Sequence, residues 1–150
     1  MKQFFAVLCA TLMISVVAAW AATKATPDQA KANAEAAAEF MKANGLDAAN
    51  KEYEKPGGKF TKGDLYIFVM DYKGVMLAHG ANPKLDGKNL ITMKDTDGKE
   101  LFVEMIDVAK NKGTGWVEYK WTNPESKKVE PKASYIIRVN DVFLGCGAYK

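Results

Sequence analysis

The stretch that most limits how this chain can fold is residues 64–80, in which two β-type segments flank a short turn. The first segment, residues 64–71, is apolar or aromatic at every position between its two terminal aspartates. A strand that is apolar on both faces must be covered on both sides, and it therefore predicts a central position in a sheet. Gly74 can supply the positive φ that a short hairpin loop needs. We therefore expect a β-hairpin whose second strand, residues 75–79, ends at His79, the single histidine of the sequence.

The first 21 residues have a composition of their own. Lys2 precedes an apolar run over residues 4–19, and this run ends in the small-residue pattern Ala-Trp-Ala. This arrangement is typical of a secretory signal peptide, so we expect residues 1–21 to be removed and residues 22–150 to form the mature domain. The alternative is an uncleaved membrane anchor, because residues 4–22 could almost span a bilayer.

Composition and charge narrow the classes of protein that the sequence can encode. At 150 residues and 48% hydrophobic content, the chain fits one globular domain with a substantial core. The formal net charge is only +3, the charges are interspersed, and Arg138 is the one arginine, which argues against nucleic-acid binding. Once residues 1–21 are removed, Cys146 is the one remaining cysteine. No intramolecular disulfide is therefore expected, and Cys146 is interpreted as a buried strand residue.

Three regions carry helix signals. Residues 26–29 read Thr-Pro-Asp-Gln and form a capping box, which predicts a helix from this point to Asn44. Residues 46–53 are expected to form a second, short helix. A third helix is expected because apolar residues repeat at spacings of three and four from Leu101 onward, and the acidic turn at residues 95–98 is expected to start and cap this helix.

The C-terminal third of the chain has the alternating pattern of β-strands. Apolar and polar residues alternate over residues 115–122 and again over residues 132–140, and residues 142–149 supply a last apolar strand. Together with the hairpin, these segments give five strands interleaved with helices. The order predicts an α+β fold with a five-stranded antiparallel sheet flanked by helices.

Six short motifs, in order along the chain, carry a specific resemblance. They are Asp64-Leu-Tyr-Ile-Phe-Val-Met-Asp71, Leu77-Ala-His-Gly80, Leu85-Asp-Gly-Lys-Asn89, Asp97-Gly98, Gly115-Trp-Val-Glu-Tyr-Lys-Trp-Thr-Asn-Pro124 and Pro131-Lys-Ala-Ser-Tyr135. In this order and spacing they resemble the single Cache domain family over nearly the whole mature chain.

The resemblance implies a PAS-like fold with a long N-terminal helix and a role as an extracytoplasmic sensor of small molecules, often short-chain carboxylic acids. Sensors of this type continue into a transmembrane helix and a signalling domain, whereas no second apolar span follows here. We therefore expect a free-standing periplasmic form whose bound state is read by a separate membrane receptor, transporter or kinase.

A small carboxylate needs cationic or hydrogen-bonding donors in a partly dry cavity with apolar walls. His79 and Lys94 are expected to contact the carboxylate, and aromatic residues are expected to line the cavity. In strand 132–140, Lys132 and Tyr135 have opposite parity, so both reach one cavity only if a bulge intervenes. The candidate ligand-binding residues are Tyr66, His79, Met93, Lys94, Tyr119, Trp121, Lys132 and Tyr135. Taken singly, each aromatic residue is better explained by core packing, and their shared orientation around His79 is the hypothesis.

Catalysis has little support in the sequence. No nucleophile–base pair, metal-ligand cluster, haem-attachment motif or glycine-rich phosphate loop is recognisable, so neither an enzyme nor a bound cofactor is expected. The alternative to ligand binding is an interaction module of the cell envelope, either a monomer or a homodimer formed through the long N-terminal helix, with its cavity closed by side chains.

Overall fold

The computed structural model describes residues 23–150, and the proposed signal peptide lies outside these residues. Within them, three α-helices and five strands follow the order expected from the sequence, and none of these helices is long and apolar enough to cross a membrane. The helices are α1 (Pro27–Asn44), α2 (Leu46–Tyr53) and α3 (Leu101–Asn111), and a short 3₁₀ helix spans Pro83–Leu85. The strands are β1 (Ile67–Asp71), β2 (Met76–His79), β3 (Thr114–Thr122), β4 (Val129–Val139) and β5 (Val142–Tyr149).

The five strands form one antiparallel sheet in the order β2-β1-β5-β4-β3. Strand β1 is therefore flanked on both sides, as its two apolar faces predicted. Ile67 and Val69 belong to a core cluster shared with α1 and α2, whereas Phe68 and Met70 belong to a second cluster under α3. This is the expected PAS-like α+β architecture, with a helical layer on each face of the sheet.

Helix α1 begins as its sequence predicts. The Thr26 side chain accepts a hydrogen bond from the backbone N–H of Gln29, and the Gln29 side chain accepts one from the Thr26 N–H. This reciprocal capping satisfies two donors that the first helical turn would otherwise leave unpaired. Its buried face consists of Met41 and four alanines, whose small side chains let the helix lie close to β4 and β5: Ala30, Ala34, Ala37 and Ala38.

The expected acidic start of α3 is wrong. The helix begins at Leu101, and no side chain caps its N-terminus. The Asp95 carboxylate instead accepts hydrogen bonds from the backbone N–H groups of Asp97 and Lys99, and from that of Lys120 in β3. Aspartate favours local turns of this kind as strongly as helix caps, and here it fastens the loop before α3 to the edge strand.

Candidate functional site

A small aromatic cavity lies between the sheet and the N-terminal end of α3. We call it the inner chamber, and it is lined by Tyr66, Phe68, Met76, His79, Phe102, Tyr119 and Trp121. Its rings lie in edge, tilted and stacked contacts, with the His79 ring 4.9 Å from the Tyr66 ring and the Phe102 ring 5.9 Å from the Trp121 ring. The centre of a water molecule can occupy about 10 Å³ of it, which is about the room that one water needs.

The orientation of His79 is set by the loop that follows β2. The backbone N–H of Asn82 donates a hydrogen bond of 3.0 Å to Nδ1 of His79, which leaves the ring proton on Nε2. Burial, reinforced by the positive charge of Lys132, lowers the pKa of His79 to about 3. The imidazole is therefore neutral at physiological pH and presents Nε2–H as a hydrogen-bond donor.

A second polar group, Lys132 of β4, lies next to the chamber through its contacts with Tyr66 and Tyr119 but does not line it, and its side chain is almost completely buried. Its Nζ donates a 2.7 Å hydrogen bond to the Tyr66 hydroxyl and lies 4.0 Å from the centre of the Tyr66 ring. The rings of Phe68, Tyr119 and Tyr149 surround it at 4.9–5.9 Å. Among the residues that the structure describes, no carboxylate lies within ion-pair distance of this amine.

The environment of Lys132 disfavours its charged form. Burial lowers its pKa to about 7, and the nearby Cys146 thiol and Asp64 carboxylate only partly oppose this effect. An ammonium group taken out of water without a counter-ion is costly, so the protein holds this amine close to its titration point at neutral pH. An anion bound beside Nζ would stabilise the charged form.

A chain of hydrogen bonds leads from this amine to the last strand. Lys132 Nζ donates to the Tyr66 hydroxyl, which lies 2.9 Å from the Tyr149 hydroxyl. Tyr149 in turn donates a 2.8 Å bond to the carbonyl oxygen of Thr122. Since the Tyr149 proton is used there, the Tyr66 hydroxyl must be the donor to Tyr149. The two remaining Nζ protons of Lys132 and the Nε2–H of His79 are thus free to serve a ligand.

A larger outer pocket adjoins the inner chamber. The centre of a water molecule can occupy about 290 Å³ of this pocket. The pocket shares Tyr66, His79 and Trp121 with the chamber. The outer pocket also includes the loop after β2, through Asn82 and Leu85. Trp121 is only half-buried and lines both spaces, so its ring stands at the border between them.

The structure brings together five of the eight candidate residues: Tyr66, His79, Tyr119, Trp121 and Lys132. Met93 contacts the same core cluster but does not line the chamber. Lys94 is exposed, and its Nζ lies 3.7 Å from a carboxylate oxygen of Glu100.

Tyr135 lies on the opposite face of the sheet from Lys132. Its ring is 5.1 Å from that of Trp116 and 5.2 Å from Nζ of Lys31 in α1. Strand β4 pairs with both neighbours without a register shift, so its side chains alternate strictly between the two faces. The bulge that would bring Tyr135 to the chamber is therefore absent from β4, and Tyr135 and Lys132 lie on opposite faces of the sheet.

Sequence reasoning missed four residues at this site. Phe68 and Met76 were predicted only as residues of the hairpin strands, Phe102 only as a residue of the third helix, and Tyr149 only as a residue of the last strand. The parity of β1 places Phe68 beside Tyr66, and the register of β4 on β5 pairs Lys132 directly with Tyr149. Strand parity and register could therefore have found Phe68 and Tyr149, whereas Phe102 depends on where α3 crosses the sheet.

Comparisons with known proteins agree on the type of domain. The methyl-accepting chemotaxis protein McpP of Pseudomonas putida is 38% identical over 88 residues, which cover 57% of this chain but only 16% of that receptor. A chemotaxis protein of Vibrio parahaemolyticus superposes with a TM-score of 0.70 at 26% identity, over 81% of this chain and 86% of that structure. A Cache chemosensory domain, solved as the structural basis for carboxylic acid recognition, superposes with a TM-score of 0.62 at 29% identity, also over 81% and 86%.

The sequence match extends beyond these shared segments. Single Cache domain 2 matches residues 7–150, which is nearly the whole chain. The fold and the family therefore lead to one conclusion: this chain belongs to the single Cache domain 2 family of extracytoplasmic sensor domains.

Proposed function

We propose that this domain binds a short-chain organic acid without changing it. Lys132 Nζ and His79 Nε2–H hold the carboxylate, and the aromatic wall of the inner chamber receives the short carbon chain. The similar Cache domain that was solved for carboxylic acid recognition supports this ligand class. In this proposal the domain acts in the periplasm after removal of residues 1–21, and a separate membrane receptor, transporter or kinase reads its bound state.

The observation that carries the proposal is the unpaired amine of Lys132. A buried lysine without a counter-ion costs folding free energy, and such costs are characteristic of binding sites. A carboxylate beside Nζ supplies the missing charge, and it accepts both from the amine and from the neutral imidazole of His79. Charge-assisted hydrogen bonds of this type are about twice as strong as neutral ones.

The size of the site limits the ligand. The inner chamber holds about one water molecule as it stands, so an acid enters only if the ring of Trp121 moves toward the outer pocket. Acids of two or three carbons require the smallest displacement. Longer chains would have to extend between Trp121 and the loop after β2.

The test compares acids with a neutral analogue of the same shape. Thermal unfolding at about pH 7 is measured with increasing acetate or propionate and, separately, with propionamide. Binding to the folded state alone raises the melting temperature as ligand concentration increases. We expect the acids to raise it and propionamide, which lacks the charge, to leave it unchanged.

Two lysine variants form a matched pair for this test. Lys132→Met removes the buried amine and should abolish the stabilisation by acids, whereas Lys94→Met removes an exposed lysine and should retain it. Stabilisation by acids that persists in Lys132→Met would contradict the site. If no acid stabilises the wild-type protein, the proposal fails, and the interaction-module alternative is favoured.

A further inference from the structure

A second polar cluster lies outside the candidate site, where the end of α2 meets the loop after β2 (residues 80–89). Its members are Asn50 and Glu54 of α2 and Asp86 of the loop, and all three are partly buried. We propose that Asp86 and Glu54 share one proton, and that this carboxyl pair holds the loop against α2 and releases it when the proton is lost. The inference does not rest on acid binding, because a domain that binds no organic acid could still contain this pair.

The cluster holds more hydrogen-bond acceptors than donors. The side-chain amide of Asn50 donates to the Leu77 carbonyl oxygen in β2 over 3.4 Å, whereas its Oδ1 is buried without a donor. Oδ1 of Asp86 is also buried, and no donor of the described residues reaches it. Asn50 and Glu54 are four residues apart, so they share one face of α2. Because a buried acceptor without a donor is costly, this contact lacks at least one proton.

The two carboxyl groups meet without a positive charge between them. The Asp86 carboxyl group lies within hydrogen-bond reach of that of Glu54, and two ionised carboxylates cannot bond because neither has a proton to donate. Among the residues that the structure describes, no lysine or arginine lies within ion-pair distance of either group. Glu54 is also the C-terminal cap of α2, where the helix dipole disfavours negative charge. One shared proton removes this conflict.

The surroundings of Asp86 favour this proton up to neutral pH. Removal from water, reinforced by the hydrogen bond to Glu54 and by its negative charge, raises the pKa of Asp86 to about 7, and the backbone N–H of His79 only partly opposes this effect. The His79 imidazole is itself neutral at this pH. The other charged groups of these elements are exposed or paired elsewhere: Asp47, Lys51, Glu52 and Lys55 on or directly after α2, and Lys84 and Lys88 in the loop.

The loop that the pair holds contributes to the candidate site. Asp86 directly follows Leu85, which lines the outer pocket, and the Asn82 N–H of the same loop donates to His79. Below about pH 7 the shared proton keeps the loop on α2. Above about pH 7 both groups are ionised and repel each other. The loop is then expected to separate from α2, so that the outer pocket opens.

The experiment is a carbon-13 NMR titration of the mature protein, labelled at its aspartate side-chain carboxyl carbons and free of organic acids. We expect the Asp86 resonance, assigned by its absence from Asp86→Asn, to titrate at about pH 7. In Glu54→Gln the midpoint should fall by at least about one pH unit. Asp47→Asn is the matched control, because Asp47 is exposed at the start of the same helix and should not affect this midpoint. A wild-type midpoint below about pH 6 would overturn the proposal, as would one that Glu54→Gln leaves unchanged.

Hydrogen exchange tests the release of the loop. Protection factors in residues 80–89 of the wild type, such as that of the Gly87 N–H bonded to the Met76 carbonyl oxygen, should fall several-fold from about pH 6 to about pH 8. Asp86→Asn should retain its protection, because its amide can donate to Glu54 at either pH. Equal wild-type protection at both pH values would refute the release. Calcium ions that raise the melting temperature of the wild type but not of Asp86→Asn at about pH 8 would also refute the proposal, since a cation rather than a proton would then neutralise the pair.

Discussion

The burial of Lys132 predicts that Lys132→Met makes the folded domain more stable at neutral pH. Moving a lysine pKa from 10.5 to about 7 corresponds to about 4 kcal/mol of lost folding free energy at pH 7. Methionine has a similar length and no charge to desolvate, so it fills the same space without this cost. Lys132, which we propose is needed for binding, should therefore lower the stability of the unliganded domain.

Part of this gain is offset by the partner that the substitution leaves behind. The Tyr66 hydroxyl loses the hydrogen bond from Nζ, which costs about 1 kcal/mol. The net stabilisation expected at pH 7 is about 3 kcal/mol, which for a domain of this size raises the melting temperature by about 10 °C.

The effect should also have a characteristic dependence on pH. The pKa of Lys132 in the folded protein lies below that of the unfolded chain, so the unfolded state holds the extra proton between about pH 7 and about pH 10. Wild-type stability therefore rises with pH across this window, and the contribution from this lysine is absent in Lys132→Met. The advantage of the variant should shrink by about 1.4 kcal/mol per pH unit.

The assay is urea unfolding of wild type, Lys132→Met and Lys94→Met at a series of pH values from about 6 to about 9. Lys94→Met should follow the wild type because its side chain is exposed. The reasoning is refuted if Lys132→Met is no more stable than wild type at pH 7, or if the difference between them does not change with pH.

Three further predictions concern the ligand and the strand that carries His79. Acid affinity should weaken about tenfold per pH unit above about pH 7 as Lys132 loses its proton, as measured by titration calorimetry; constant affinity to pH 9 would contradict this. Trp121→Ala should join the two pockets, so that longer acids raise the melting temperature more than short ones do. If the order of the acids in this thermal-shift series is the same as for the wild type, Trp121 does not separate the pockets. Gly80→Ala places a Cβ 2.7 Å from the Tyr53 carbonyl oxygen and should lower the unfolding free energy by about 1–3 kcal/mol; unchanged urea unfolding would contradict this.

Sequence patterns predicted the sheet well because strand periodicity is a local property. The two apolar faces of β1 required a covered central strand, and the alternation in β4 already separated Lys132 from Tyr135. Residue type and the family resemblance, rather than strand parity, made His79 and Tyr119 candidates for the same cavity. The same alternation also explains why Tyr135 belongs with α1.

Loop residues could not be placed in the same way. Lys94 follows a long irregular connection, and its position depends on tertiary contacts that leave no period in the sequence. Asp95 was misjudged for a related reason, since its carboxylate bonds to the N–H of Lys120, 25 residues away. The importance of Lys132 was also hidden, because lysines are normally solvated and only the structure shows this one to be buried.

The hydrogen bonds around Lys132 connect the proposed binding site to the C-terminal strand, so binding of an acid should affect that strand. Tyr149 connects the Tyr66 hydroxyl to the Thr122 carbonyl, and it directly precedes Lys150. The backbone N–H of Lys150 donates to Pro131 in β4, and its carbonyl oxygen accepts from Lys24 near the start of the described chain. A ligand that competes for the protons of the buried amine therefore acts on a network that reaches both ends of the domain.

Tyr149→Phe tests this connection because it removes one hydroxyl and keeps the ring that lines the amine. We expect the variant to bind acids with affinity weakened by less than about tenfold, since the lost group does not face the ligand. Ligand-induced protection of residues 142–150 in hydrogen exchange should then be lost. Tyr119→Phe is the matched control, because its hydroxyl bonds to Ser134 outside this network. If the protection persists in Tyr149→Phe, or if Tyr119→Phe abolishes it equally, these hydrogen bonds do not transmit ligand binding to residues 142–150. Proximity to the site alone is not evidence of coupling.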